Sequence, residues 1–181
     1  MYFLTKVLST VTIFFLLSLA LSGTPLPQEE APQKSAVEDD LAFAVDLARN
    51  RYFDLANDYM ELVKKGRLSD QEKDYLTLTN ASILKLASEH ATDESERMDF
   101  YNQAIALFKQ FIEYNTHHEE YEAKCLDLAE VHVNLGKFLS DKLKRTEDPT
   151  ERKQFIEEAQ ETFRAGVQLY NDTARLLRDK A

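Results

Sequence analysis

Residues 93–108 read Asp-Glu-Ser-Glu-Arg-Met-Asp-Phe-Tyr-Asn-Gln-Ala-Ile-Ala-Leu-Phe, and residues 148–163 read Asp-Pro-Thr-Glu-Arg-Lys-Gln-Phe-Ile-Glu-Glu-Ala-Gln-Glu-Thr-Phe. A shift of 55 residues aligns six pairs of identical residues. The pairs are Asp93 with Asp148, Glu96 with Glu151, Arg97 with Arg152, Phe100 with Phe155, Ala104 with Ala159, and Phe108 with Phe163. The same shift places Ala81 and Leu84 on Gly136 and Leu139, in the segments that precede the two stretches. Because one register holds across two successive segments, the sequence indicates a duplicated structural unit.

Apolar residues recur three and four positions apart in these stretches and on both sides of them, which is the period of an α-helix. No stretch shows the sustained alternation of apolar and polar residues that indicates a half-buried strand. One apolar stripe consists of Tyr121, Cys125, Leu128, His132, Leu135 and Leu139. A second stripe consists of Ile156, Ala159, Phe163, Val167, Tyr170, Ala174 and Leu177. Each stripe predicts an amphipathic helix that buries this face.

The sequence therefore predicts an all-α fold with six helices, over residues 36–50, 52–65, 70–89, 94–114, 119–144 and 150–179. Ser35 and Ser69 each precede an acidic first turn, and Asp148 precedes a proline that fits the first helical position. We expect the six helices to pair into three antiparallel hairpins, over residues 36–65, 70–114 and 119–179.

The hairpins share a pattern of small and large residues. The first helix of each carries a small residue and, three positions on, a large apolar one. The second helix carries an aromatic residue (isoleucine in the third hairpin), an alanine three positions on, and a large residue four after that. The pattern is met by Ala44, Leu47, Phe53, Ala56 and Met60, by Ala81, Leu84, Tyr101, Ala104 and Phe108, and by Gly136, Leu139, Ile156, Ala159 and Phe163. This pattern resembles the tetratricopeptide repeat family, and the resemblance implies a right-handed solenoid of hairpins that binds partners in its groove.

Two features depart from the family's pattern. The small residues of the later hairpins are 23 residues apart rather than 12, and the family's closing proline is missing between repeats. This elongated form resembles the amino-terminal part of large exported tetratricopeptide proteins of bacterial envelopes. Since those chains continue for many more repeats, the resemblance implies that this chain is an amino-terminal fragment of a longer repeat protein.

The first 34 residues predict export. Residues 1–22 contain one cation, Lys6, then an apolar run from Val7, and then small residues before Gly23, which is the pattern of a cleaved secretory signal peptide. The alternative is an uncleaved membrane anchor formed by residues 7–22. Residues 23–34 hold three of the four prolines and form a predicted Pro/Glu-rich linker before the repeat domain of residues 35–181. We therefore expect a periplasmic or secreted protein.

Charge and composition exclude several classes of function. The chain has 22 Lys and Arg against 32 Asp and Glu, a net charge of −10, which argues against binding of nucleic acid and of anionic lipid. A single cysteine excludes an intramolecular disulfide and any multi-cysteine metal site. The sequence contains no Gly-rich phosphate loop and no hydrolase or metalloprotease motif. We therefore predict no cofactor, no metal and no catalytic residue.

Two groups of residues allow both a functional and a structural interpretation. His117-His118-Glu119-Glu120 has metal-ligating side chains, but adjacent histidines diverge in direction, and a solvated turn between repeats is the simpler interpretation. Cys125 and His132 could form a nucleophile pair, yet seven residues along a helix separate them by about 10 Å. A small core cysteine and a buried histidine explain the two residues better, and an intermolecular disulfide through Cys125 is a further alternative.

The remaining conspicuous residues have structural interpretations. Arg97 and Arg152 occupy equivalent positions, where we expect them to cap and ion-pair the extended turns. The aromatic residues Phe100, Phe108, Phe111, Tyr114, Phe155, Phe163 and Tyr170 fall at helical spacing and are predicted to lie in the core.

The predicted function is that of a non-catalytic protein–protein interaction or scaffolding module that binds a protein or peptide in a helical groove. The alternative is a self-associating structural element, because hairpins without polar caps expose apolar ends.

Overall fold

The computed structural model describes residues 35–180, in which every regular element is a helix. The six helices are α1 (Ala36–Arg49), α2 (Phe53–Lys64), α3 (Asp70–His90), α4 (Glu94–Tyr114), α5 (Tyr121–Arg145) and α6 (Pro149–Asp179). The predicted all-α class is confirmed, and every helix begins and ends within two residues of the prediction. The predicted signal peptide and linker lie outside the described residues. Within residues 35–180, no helix combines the length and the apolar composition that crossing a membrane requires.

Side-chain caps explain where four of the helices begin. Ser35, Ser69, Asp93 and Asp148 each accept a hydrogen bond from a backbone N–H in the first turn of the following helix. At Ser69 the bond is reciprocal, because the Glu72 carboxylate accepts from the backbone N–H of Ser69. Such caps satisfy amides that have no partner within the helix, so short sequence signals fix the starts of these helices.

Each helix packs against the next one along the chain, and α1 also packs against α3. The antiparallel course of α5 and α6 follows from two contacts: Glu122 pairs with Lys180 near one end, and Gly136 lies against Phe163 further along. A Cβ atom added at Gly136 would lie 2.9 Å from the Phe163 ring, so only glycine allows the two helices to approach this closely. Gly166 on α6 lies similarly close to α5, since a Cβ atom there would lie 3.0 Å from the Ala129 carbonyl oxygen.

Two apolar cores hold the helices together, and α3 contributes to both. The larger core lies between α3, α4, α5 and α6 and contains Leu78, Ala81, Tyr101, Ala104, Phe108, Phe111, Leu128, Val131, Leu135, Phe138, Leu139 and Ala159. The smaller core lies between α1, α2 and another side of α3 and contains Leu41, Ala44, Ala48, Ala56, Met60 and Ile83. Since burial of a large apolar side chain contributes about 1.5–3 kcal/mol, the larger core supplies most of the stabilisation.

The predicted apolar stripe of α5 is buried, but the corresponding prediction for α6 is wrong in part. Of the α6 stripe, Ala159 is buried and Phe163 partly buried, whereas Ile156, Val167, Tyr170 and Leu177 are exposed. The physical reason is that α5 lies between α4 and α6, while α6 packs mainly on α5. One side of α6 therefore has no neighbour within residues 35–180.

Candidate interaction surface

The contact between α4 and α5 shows how one hairpin covers the preceding one. Tyr101 on α4 is only 5% exposed, and its ring lies 6.2 Å from the Phe138 ring on α5. Phe108, two turns further along α4, is completely buried. The Arg97 guanidinium lies 5.5 Å from the centre of the same Phe138 ring. The outer side of α4 is thus sealed by an apolar helix, with a cation at the edge.

The 55-residue register places equivalent positions on α6, where no helix of the described residues 35–180 covers them. Tyr101 corresponds to Ile156, which is 40% exposed, and Ile112 corresponds to Val167, which is 54% exposed. We call this side of the helix the α6 face; it consists of Ile156, Phe163, Val167, Tyr170, Ala174 and Leu177. The spacings of seven, four, three, four and three residues keep these side chains on one side of the helix.

The α6 face has a basic edge in an otherwise acidic protein. Arg164, Arg175 and Arg178 are exposed on the solvent side of the face, at positions that lie on one flank of the helix. Residues 156–163 hold three acidic residues and no basic one, whereas residues 164–180 hold four basic residues against two acidic ones. The carboxy-terminal part of the edge therefore favours an acidic partner.

A second exposed apolar surface lies on the first hairpin. Phe43 on α1 contacts Tyr59 on α2 edge to face, with the ring centres 5.1 Å apart. Leu55 and Leu62 lie on the same flank of α2 and are 53% and 60% exposed. We call these four residues the α1–α2 face. Residues 36–64 around it hold seven acidic residues against three basic ones, so the charge is opposite to that of the α6 edge.

His118 has a structural role that the sequence interpretation missed. Its ring meets Tyr75 and Phe111 edge to face, with ring centres 5.5 and 5.1 Å away. Its Nδ1 accepts a hydrogen bond from the Glu120 N–H at 3.1 Å. The interpretation as a solvated turn therefore holds for exposed His117 but is wrong for His118, which packs between hairpins. Within residues 35–180, no three metal-ligating side chains converge.

Cys125 and His132 are both buried on α5 and do not form an activated pair. Burial raises the pKa of the Cys125 thiol, which opposes the thiolate that nucleophilic attack requires. Burial, together with the charge of nearby Lys109, lowers the pKa of His132 to about 4. Both ring nitrogens of His132 lack a hydrogen-bond partner, so the imidazole does not contact the thiol through them. The burial of Cys125 also disfavours the alternative of an intermolecular disulfide.

Arg97 and Arg152 cap the ends of the preceding helices, as the sequence predicts. Arg97 donates through Nε to the Ser88 carbonyl at 2.8 Å and through Nη2 to the Glu89 carbonyl at 3.0 Å. Arg152 donates through Nη1 to the Leu143 carbonyl at 3.1 Å. Ser88 and Leu143 are themselves 55 residues apart, so the duplication extends to these hydrogen bonds. Neither arginine forms an ion pair within the described residues, so the ion-pairing part of the prediction is wrong.

The predicted core aromatics divide into two groups. Phe108 and Phe111 are buried, and Phe100, Phe155 and Phe163 are partly buried, whereas Tyr114 and Tyr170 are exposed.

The sequence interpretation also missed the α1–α2 face. Its signal was present in Leu55 and Leu62, which are seven residues apart and lie away from the Ala56 and Met60 side of α2.

The arrangement offers two apolar surfaces with edges of opposite charge, and such surfaces bind protein helices by burial with charge-guided orientation. The α6 face is one side of a helix, and its first half, Ile156, Phe163 and Val167, has equivalent positions on α4. Comparisons with protein-family models, with curated proteins and with solved structures found no match for this chain.

Proposed function

We propose that the protein is a non-catalytic interaction module, a right-handed solenoid of three tetratricopeptide-like hairpins that docks an amphipathic helix on the α6 face. One observation carries the proposal: the first half of the α6 face, Ile156, Phe163 and Val167, repeats positions of α4, and α5 covers α4 at the first of them. At the first of these positions, Tyr101 is 5% exposed and Ile156 is 40% exposed. The difference lies in the neighbour rather than in the residue type, since both side chains are large and largely apolar.

The burial of small residues supports the repeat interpretation. Ala44, Ala56, Ala81, Ala104 and Ala159 are all buried where helices meet, which is the role that small residues have in packed hairpins. At the position of Ala81, the third hairpin has Gly136, which lies against the Phe163 ring. Such contacts are typical of stacked helical hairpins, in which one side of each second helix packs against the next hairpin.

The internal α4–α5 contact indicates what kind of helix fits the α6 face. The covering helix, α5, presents Leu128, Val131, Leu135 and Phe138, which recur at helical spacing. A partner helix with the same spacing would bury the α6 face and align its acidic residues with the arginine edge. Because association costs several kcal/mol before any gain appears, a single helix docked on this face is expected to bind with a Kd of about 1–100 μM.

The predicted signal peptide and linker complete the proposal. A cleaved segment of residues 1–22 would deliver the module across a membrane, and residues 23–34 would space it from the membrane or from the processing site. The partner is then a protein of the cell envelope or of the outside medium.

Site-specific photo-crosslinking in cells that express the full chain tests the proposed function. A photoreactive phenylalanine analogue replaces Val167, and in a matched control it replaces Asp172, which is exposed on the opposite side of α6. We expect a discrete protein adduct from position 167 and none from position 172. No adduct from either position, or the same adducts from both, would contradict docking on the α6 face.

A further inference from the structure

We propose that the occupant of the α6 face is a second copy of this chain, which docks through its α1–α2 face. This inference rests on the proposed function, since it uses the same α6 surface and names what covers it. Both surfaces are exposed in one molecule, and they belong to helices at the two ends of the packing order: α6 packs mainly on α5, and the α1–α2 hairpin packs on α3. A head-to-tail contact between copies therefore leaves every described helix contact intact.

The apolar side chains of the two faces are exposed to a similar degree. On the α6 face, Ile156, Val167 and Leu177 are between 40% and 54% exposed. On the α1–α2 face, Phe43 and Leu55 are similarly exposed, at 50% and 53%. Both faces are rows of side chains on helices, so they can pack as ridges into grooves in the way that α4 and α5 do within one chain.

The charges of the two faces match in sign. Asp54, Asp58 and Glu61 border Leu55 and Leu62 on α2, and all three are exposed. Arg164, Arg175 and Arg178 border the α6 face in the same way. Pairing of the faces places carboxylates beside guanidinium groups at the rim of the contact, where they guide orientation.

The same charges disfavour the symmetric alternative. In a contact between two α6 faces, one arginine edge would lie against the other, and like charges at an interface cost free energy. A contact between two α1–α2 faces would bring the acidic residues together for the same reason. The favoured contact is therefore heterologous, and it leaves one α6 face and one α1–α2 face free at the ends, so that further copies can add.

Sedimentation velocity of the full chain, purified in the form in which the cells process it, tests this inference. We expect the weight-average mass to rise with concentration between about 1 μM and about 1 mM and to pass that of a dimer. Because the rim contacts are charged, the rise should shift to higher concentration in about 1 M salt. A mass that stays at one copy over the whole range would overturn the proposal.

Two substitutions, one on each face, test which surfaces form the contact between copies. Val167→Glu places a carboxylate on the exposed α6 face, and Leu62→Lys places a cation on the exposed α1–α2 face. Because both positions are more than half exposed, the variants should fold, and the helical circular dichroism signal checks this. We expect each variant alone to associate at least tenfold more weakly than the original chain. Gln154→Glu adds the same charge as Val167→Glu on the opposite side of α6 and should associate normally.

The equimolar mixture of the two variants distinguishes head-to-tail pairing from other modes. Each variant keeps one intact face, so the mixture can form one good interface and should recover association at least to a 1:1 dimer. A mixture that stays monomeric, or a Leu62→Lys variant that dimerises as well as the original chain, would overturn the head-to-tail contact. If self-association fails while the adduct from position 167 contains a different protein, the proposed function stands and only the second copy is rejected.

Discussion

The α3–α4 and α5–α6 hairpins repeat one design and differ in what lies beyond them. In both, an arginine of the second helix caps the first helix at equivalent carbonyls, those of Ser88 and Leu143. In the former hairpin α5 seals the outer side of the second helix, whereas in the latter this side is exposed. The comparison shows that the second helix of a repeat is buried only where a further helix packs on it. A repeat position that stays exposed is therefore available for binding another molecule.

The largest expected effect concerns His132, where the two hairpins differ inside the fold. Thr77 is the equivalent residue on α3, and its hydroxyl donates to the Lys73 carbonyl at 2.9 Å, whereas both His132 nitrogens lack partners. The pKa of His132 is about 4 in the folded protein against 6.5 for an ordinary histidine. Between these values the unfolded chain binds more protons, so the free energy of unfolding falls as the pH decreases, by up to about 3 kcal/mol.

Urea denaturation at several pH values, with His132→Leu as the matched variant, measures this effect. The leucine variant removes two unpaired polar atoms, so we expect it to be more stable by about 1–2 kcal/mol at pH 7. Its advantage should grow as the pH is lowered from 7 to 4, since only the original chain contains the histidine. An advantage that is constant with pH would contradict the buried, unpartnered state of His132.

The next effect tests the close contact that distinguishes the two hairpins. Gly136→Ala restores the alanine found at position 81, but its Cβ atom would lie 2.9 Å from the Phe163 ring. Because overpacking costs more than the gain in helix propensity returns, we expect a net loss of about 1–2 kcal/mol. In the background of Phe163→Ala the same change should stabilise by about 1 kcal/mol, since only the propensity gain remains. Equal effects in the two backgrounds, measured by a double-mutant cycle, would show that the helices are not in this contact.

The smallest effect compares the two capping arginines. Arg97 is partly buried and lies over Phe138, while Arg152 is exposed and has no aromatic contact among the described residues. We expect Arg97→Ala to cost about 1–2 kcal/mol, through lost hydrogen bonds and a lost cation–π contact, and Arg152→Ala to cost at most about 1 kcal/mol. Thermal unfolding of the two variants measures the difference, and an equal cost would mean that the Phe138 contact contributes nothing.

The helices could be predicted from the sequence because their signals are local. Ser35, Ser69, Asp93 and Asp148 cap the first turn within three residues of their own position, so no distant contact is needed to locate the helix starts. The α5 stripe was also predicted correctly, because a helix between two neighbours buries whatever apolar face it has.

The candidate surface could not be predicted from the sequence because exposure depends on what packs next to a helix. The α6 stripe has the same period as the α5 stripe, and only the packing order shows that one side of α6 has no neighbour. The same limit applies to His118, whose contacts with Tyr75 and Phe111 join residues that are distant in the sequence.

The same substitution at the two equivalent positions tests the central claim most directly. Glutamate in place of Tyr101 puts a charge into the sealed α4–α5 contact, and glutamate in place of Ile156 puts it on the exposed α6 face. From urea denaturation of dilute protein, we predict a loss of 3 kcal/mol or more, on the order of a buried unpaired charge, for Tyr101→Glu. For Ile156→Glu we predict a change within about 0.5 kcal/mol. Similar losses at both positions would mean that the α6 face is covered within the chain, and would contradict its role as a free binding surface.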